Sequence, residues 1–101
     1  VVIATRHDSH AQLIIKALEN GKNIFVEKPL CLNLKELKLI EQKYIEIISN
    51  SKLKPILMVG FNRRFAPLIL NLKNALKETD SPKSFIYTCN AGHIDSEHLD
   101  S

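Results

Sequence analysis

An acid and a base stand side by side at Glu27-Lys28, with Pro29 behind them. Side chains alternate along a strand, so the two share a direction only if the backbone turns, and proline fixes such a turn. A lysine held in a cleft can anchor a substrate hydroxyl or carbonyl and polarise it while hydride leaves or arrives. Glu27 could hold that lysine, or a cofactor amide or ribose. A surface Glu–Lys pair before a turn is the competing account. Thr5 and His10 flank a second segment of this kind, where Thr5 offers a hydroxyl and the start of a helix offers free amides to a phosphate or carbonyl. His10 falls in the first helical turn, where the dipole disfavours a protonated imidazole. Packing beneath the loop is the plainer expectation for it. Gly60-Phe61-Asn62-Arg63-Arg64-Phe65 adds two guanidinium groups, whose forks suit carboxylates and phosphates and whose planes stack on flat rings. One of Arg63 and Arg64 is expected to be structural.

Other chemistry-bearing residues form no pattern. His93, Asp95, Glu97, His98 and Asp100 crowd the end of the chain, but their spacing matches no zinc or EF-hand ligand set. A solvated loop is expected there, and no metal. Cys31 and Cys89 lie far apart without CxxC spacing and read as small buried hydrophobes in a reducing compartment.

Three strand–helix steps would position the candidate residues. Val1 to Thr5 is β-branched and reads as a buried strand. Ser9-x-x-Gln12 has capping-box spacing for a helix whose apolar stripe is Ala11, Ile14, Ile15 and Leu18, closed by Gly21. Ile24-Phe25-Val26 is a second strand, stopped by Pro29. Asn33-x-x-Glu36 opens a second helix with Leu37, Ile40, Tyr44, Ile47 and Ile48 inward. Ile56 to Val59 is a third buried strand ending at Gly60, and a third helix starts near Pro67 with Leu68, Ile69, Leu72 and Leu76 inward. Ser84 to Asn90 alternates Phe85, Tyr87, Cys89 against Ile86, Thr88, Asn90, as in a half-buried strand of an antiparallel sheet.

The order predicts an α/β fold with a parallel sheet covered on both faces, its strands side by side in chain order. In such sheets ligands bind beyond the carboxyl ends of the strands. Thr5 to His10, Glu27 to Pro29 and Gly60 to Arg64 all fall at those ends, which is the strongest clue the residues themselves carry.

Composition narrows the classes. The 101 residues are 45% apolar and 25% charged, which fits a globular domain and excludes disorder and fibrous repeats. No apolar run approaches the roughly 20 residues of a bilayer span, so no membrane is expected. The net charge of +3 is mostly scattered lysine, so no nucleic-acid partner is expected. The absence of an initiator Met and of a leader pattern, with a strand at the first residue, suggests an excerpt of a longer cytoplasmic protein.

Four motifs then converge. The run VVIATRHDSHAQLIIKALENGKNIFVEKPL, followed by MVGFNRRFAP, resembles the Gfo/Idh/MocA oxidoreductases: T-x-x-x-x-H, A-L-x-x-G-K, E-K-P-L and G-F-x-R-R-F-x-P occur in that family's order. The resemblance covers nearly the whole chain, and YTCNAGHIDSEHLD looks like the branch reading N-A-G-x-I-x-x-x-H-W, with Leu99 where that branch has tryptophan. It implies a Rossmann domain binding NAD or NADP, then an α/β open-sheet domain, and hydride transfer at a hydroxyl carbon of a sugar, cyclitol or related small molecule. Residues 1–62 would be the second half of the Rossmann domain, and 63–101 the connecting helix and first strand of the substrate and oligomerisation domain. Lys28 would be the catalytic lysine, near both nicotinamide and the reacting oxygen. Thr5, His10, Glu27, Lys28, Arg63 and Arg64 would line the cofactor.

The resemblance also says what is missing. The Gly-rich phosphate loop would lie upstream of Val1, and the D-x-x-x-H pair carrying the acid/base histidine downstream of Ser101. A homo-oligomer is expected for the full-length protein and no turnover from the 101-residue piece. The alternative is a truncated or degenerate relative serving as a non-catalytic binding or scaffold module.

Overall fold

The computed structural model describes residues 1–50, 52, 54–90 and 92. It divides into two compact units, Val1–Phe61 and Asn62–Ser101, taken separately here. In the first, β1 (Val2–Ile3), α1 (His10–Glu19), β2 (Ile24–Val26), α2 (Leu34–Asn50) and β3 (Leu57–Val59) build a three-stranded sheet in the order β1-β2-β3. Both pairings are parallel, with Val2, Phe25 and Met58 in one register row and Ile3, Val26 and Val59 in the next. This is the expected α/β parallel arrangement.

Strands that follow one another in space and in sequence, joined by right-handed crossovers, place both connecting helices on the same side of the sheet. The core lies there. Ile3, Ile24 and Val26 point into it, and Ala11, Ile14, Ala17 and Leu18 of α1 and Ile40 of α2 close over them. Because side chains alternate, the neighbouring row faces the other way. Val2 is 73% exposed and Met58 49%, so the expectation of strands buried on both faces holds for one face only among the described residues.

The helix ends follow local chemistry. Asn33 Oδ1 accepts from the Glu36 amide at 2.9 Å, the forward half of a capping box, and Glu36 Oε2 reaches back to the Leu32 amide at 2.8 Å, one residue before the Asn33 cap. The box expected at α1 is not made. Ser9 makes no cap bond to the helix; it ends a 3-10 turn over His7–Ser9 and bonds backward to Arg6 instead. Gly21 ends α1 in the left-handed region, φ 61°, with its amide on Leu18 O and that of Lys22 on Ala17 O.

The second unit holds a 3-10 turn over Asn62–Phe65 and α3 (Pro67–Ala75), with Pro67 opening the helix as expected. No residue of α3 is buried: Leu68 is 80% exposed and Leu72 46%, and of the expected stripe only Ile69 and Leu76 find partial cover among the described residues. Ser84 to Asn90 forms no strand, since a strand needs a ladder partner and none lies beside it among those residues. Cys89 is exposed rather than buried, while Cys31 packs against the core. The acidic and histidine-rich end of the chain lies outside the described residues.

Candidate functional site

The carboxyl ends of β1, β2 and β3 are aligned by their ladder. The Glu27 amide donates to Ile3 O at 2.9 Å, and the Gly60 amide donates to Val26 O at 2.8 Å. Thr5, Glu27 with Lys28, and Gly60 therefore leave adjacent strands at one end of the sheet, as expected from the chain order. Lys28 is exposed, with no hydrogen bond or ion pair among the described residues, so its ammonium protons remain available. The peptide between Lys28 and Pro29 is cis.

Glu27 is half-buried on the face of the sheet away from the helices, the same face as Phe25 and Gly60. A methyl group built on Gly60 would stand 3.0 Å from Glu27 Oε2 and 3.3 Å from Phe25 Cζ. The carboxylate thus occupies space that only glycine leaves open. The spacing of the motif named Gly60 merely as a strand end; its part in seating Glu27 was invisible without the cross-strand register.

Thr5 is exposed, and its Oγ1 lies 2.6 Å from Ser9 Oγ. Ser9 spends its one hydroxyl proton on Arg6 O at 2.8 Å, so Thr5 must donate to Ser9. What Thr5 offers a ligand is lone pairs. They accept from an amide or hydroxyl and give nothing to a phosphate oxygen.

His10 is fully buried. Its Nδ1 is 2.7 Å from Pro29 O and its Nε2 3.1 Å from Thr5 O. A carbonyl only accepts, so a neutral ring donates through one nitrogen, and the shorter contact suits Nδ1–H toward Pro29. That bond ties the start of α1 to the loop after β2, while Nε2 lies against Thr5 O without a proton to give it. The ring lies under both loops, as the plainer expectation had it. The signal was present in the sequence, since His10 precedes Ile14 and Leu18 at helical spacing on the buried stripe.

Arg63 and Arg64 belong to the second unit. Arg63 Nη1 donates to Tyr87 Oη at 3.3 Å and to Cys89 Sγ at 3.2 Å, and the Cys89 bond first, then Tyr87, holds the guanidinium above its ordinary value. That Tyr87 and Cys89 meet the same arginine fits the alternation read in the sequence. Arg64 lies over the Phe65 ring at 5.4 Å. Arg63 is the one of the pair with bonds to the rest of its unit, although to side chains and not to loop carbonyls.

The sheet-end donor and acceptor set suits a nicotinamide nucleotide. Acceptors at Thr5 and Glu27 match amide and ribose donors, and Lys28 adds a donor beside them. The family described as oxidoreductases with an NAD-binding Rossmann fold matches over residues 1–47. The chain belongs to the Gfo/Idh/MocA oxidoreductase family. It is 41% identical over 87 residues to scyllo-inositol 2-dehydrogenase (NAD(+)) of Bacillus subtilis, covering 86% of this chain and 24% of that protein. With inositol 2-dehydrogenase of Rhizobium meliloti it shares 40% over 78 residues, or 77% of this chain and 22% of the relative. A crystal structure of a "probable dehydrogenase" from Thermotoga maritima superposes with a TM-score of 0.65 at 31% identity, covering 76% of this chain and 22% of that one. The chain thus spans about a quarter of the length of these family members. No helix among the described residues is long and apolar enough to cross a membrane.

Proposed function

We propose that this segment supplies the nicotinamide end of the site in an NAD(P)-dependent dehydrogenase acting on a hydroxyl carbon of an inositol or similar polyol. The observation that carries the reading is Lys28, exposed and unpaired among the described residues at the carboxyl end of the central strand, between Thr5 and Gly60 on its neighbours. The relatives' names, inositol dehydrogenases, favour a cyclitol over an open-chain sugar.

In this reading the bound nucleotide accepts or returns hydride. Lys28 holds the substrate hydroxyl by a charge-assisted hydrogen bond and stabilises the negative charge that grows on its oxygen. Glu27 accepts from a cofactor amide or ribose hydroxyl, and Thr5 accepts beside it. His10 keeps the Lys28–Pro29 backbone fixed against the Thr5 loop. The second domain begins near residue 63, and its open sheet makes the full-length protein a homo-oligomer.

The test is Lys28→Ala in the full-length protein that carries this segment. Removing a donor aimed at developing charge costs about a hundred- to thousandfold in kcat. The expected result is that loss, with unchanged folding and NAD affinity. Unchanged turnover would overturn the role given to Lys28, and a parent protein without turnover would favour a binding or scaffold module.

A further inference from the structure

Glycine at position 60 is required neither by its backbone nor by a turn. Only Gly21 and Gly92 have positive φ among the described residues, so Gly60 adopts a conformation open to any residue. What it provides is space. Its hydrogen bond to Val26 O anchors the backbone beside β2, and the position is buried. A side chain here could not be relieved by retreat of β3 without breaking that bond. The group pressed hardest is the Glu27 carboxylate, the end of a flexible side chain, with Oε2 at 3.0 Å and Cδ at 3.2 Å from the added carbon, and the edge of the Phe25 ring follows at 3.3 Å.

We propose that Gly60 is a positioning residue for Glu27: the missing side chain forms the seat that holds the carboxylate over the end of β3, where it accepts from an N–H or O–H group of the nicotinamide nucleotide. The inference rests on the role given above to Glu27. It adds that cofactor affinity is set in part from β3, by a residue that donates nothing to the ligand. Any side chain at position 60 displaces the acceptor and weakens binding while the sheet stays intact.

The experiment is a double-mutant cycle in the full-length protein, with NAD as the probe and a crystal structure of Gly60→Ala. A hydrogen bond to a charged acceptor carries about a tenfold effect or more on affinity, so Gly60→Ala is expected to raise KM for NAD about tenfold and to change kcat less. In a Glu27→Ala background the same substitution should have no further effect, because no carboxylate remains to be displaced. The variant structure should show the carboxylate moved and the β2–β3 ladder unchanged. Equal, additive effects in both backgrounds would overturn the proposal, as would a variant with the carboxylate in place and the strands shifted. If Gly60→Ala fails to fold, rescue by Glu27→Ala supports the seat and failure of rescue overturns it. An unchanged KM in Glu27→Ala alone would remove the cofactor role of Glu27, whereas the seat itself stands or falls on the variant structure.

Discussion

The two units of the chain use similar sequence material with opposite results. In Val1–Phe61, eight apolar side chains among the described residues are buried in one cluster, and a three-stranded ladder ties its loops together. In the second unit, α3 is as regular as α1 yet buries nothing, and Ile86 is 97% exposed. The second unit is somewhat poorer in apolar residues, but that alone does not leave a regular helix uncovered. A helix stripe or an alternating segment is only half of a packing interaction, and in the first unit the chain itself brings the other half within a crossover's length. Hydrophobic periodicity therefore says which residues want cover, not whether cover is nearby.

The comparison breaks most directly by truncating one leucine in each unit. Leu18 is fully buried, so Leu18→Ala should lower stability by about 2–5 kcal/mol through lost burial and a residual cavity. Leu72→Ala, at a half-exposed position, should cost well under about 1 kcal/mol by the same accounting. Denaturation of the full-length protein with each substitution reads both. Comparable losses would mean that Leu72 is buried in the intact protein, and the contrast between the units would disappear.

A smaller effect is expected at His10. Replacing it with alanine leaves the carbonyl of Pro29 without its side-chain donor and opens a space beneath the loops. The cost should be about 1–3 kcal/mol. Because the ring sits between two loops and not two core strands, hydrogen exchange should rise in residues 5–9 and 28–31 while Phe25 and Glu27, whose amides are in the ladder, change only with global stability. Uniform acceleration across the sheet would show that His10 is simply core.

These contrasts also explain what was legible beforehand. Strand order, the helix start at Asn33 and the gathering of Thr5, Glu27, Lys28 and Gly60 at one sheet end follow from local signals and the handedness of crossovers, which act over short stretches of chain. The α1 start was misread because Ser9 meets the spacing of a capping box, but its hydroxyl finds Arg6 O and Thr5 closer. Spacing cannot choose between rival partners for one hydroxyl. The strand expected at Ser84–Asn90 failed for a related reason: alternation specifies a face, whereas a strand exists only against a neighbour. Gly60 shows the deepest gap, since its role depends on a register across β2 and β3 that no single segment encodes.

The smallest effect sharpens the first unit's own boundary between core and surface. Lys43, on α2, bonds Glu46 at 3.1 Å on its own helix and Glu19 of α1 at 3.5 Å. The Glu46 hydrogen bond chiefly, opposed by desolvation and aided by Glu19, raises its proton affinity above the ordinary 10.5. A raised folded value means that the folded chain holds this proton more tightly than the unfolded one. The stabilisation is then complete below about pH 10.5 and is lost as pH rises through the folded value. Exposed pairs of this kind are also screened by salt. Lys43→Met should therefore be slightly less stable than the parent at neutral pH and low ionic strength, with the gap closing in high salt and again above the folded value. A gap that persists under both conditions would mean that pairing of the ammonium is not what Lys43 contributes, because methionine keeps most of the aliphatic stem and removes only the charge.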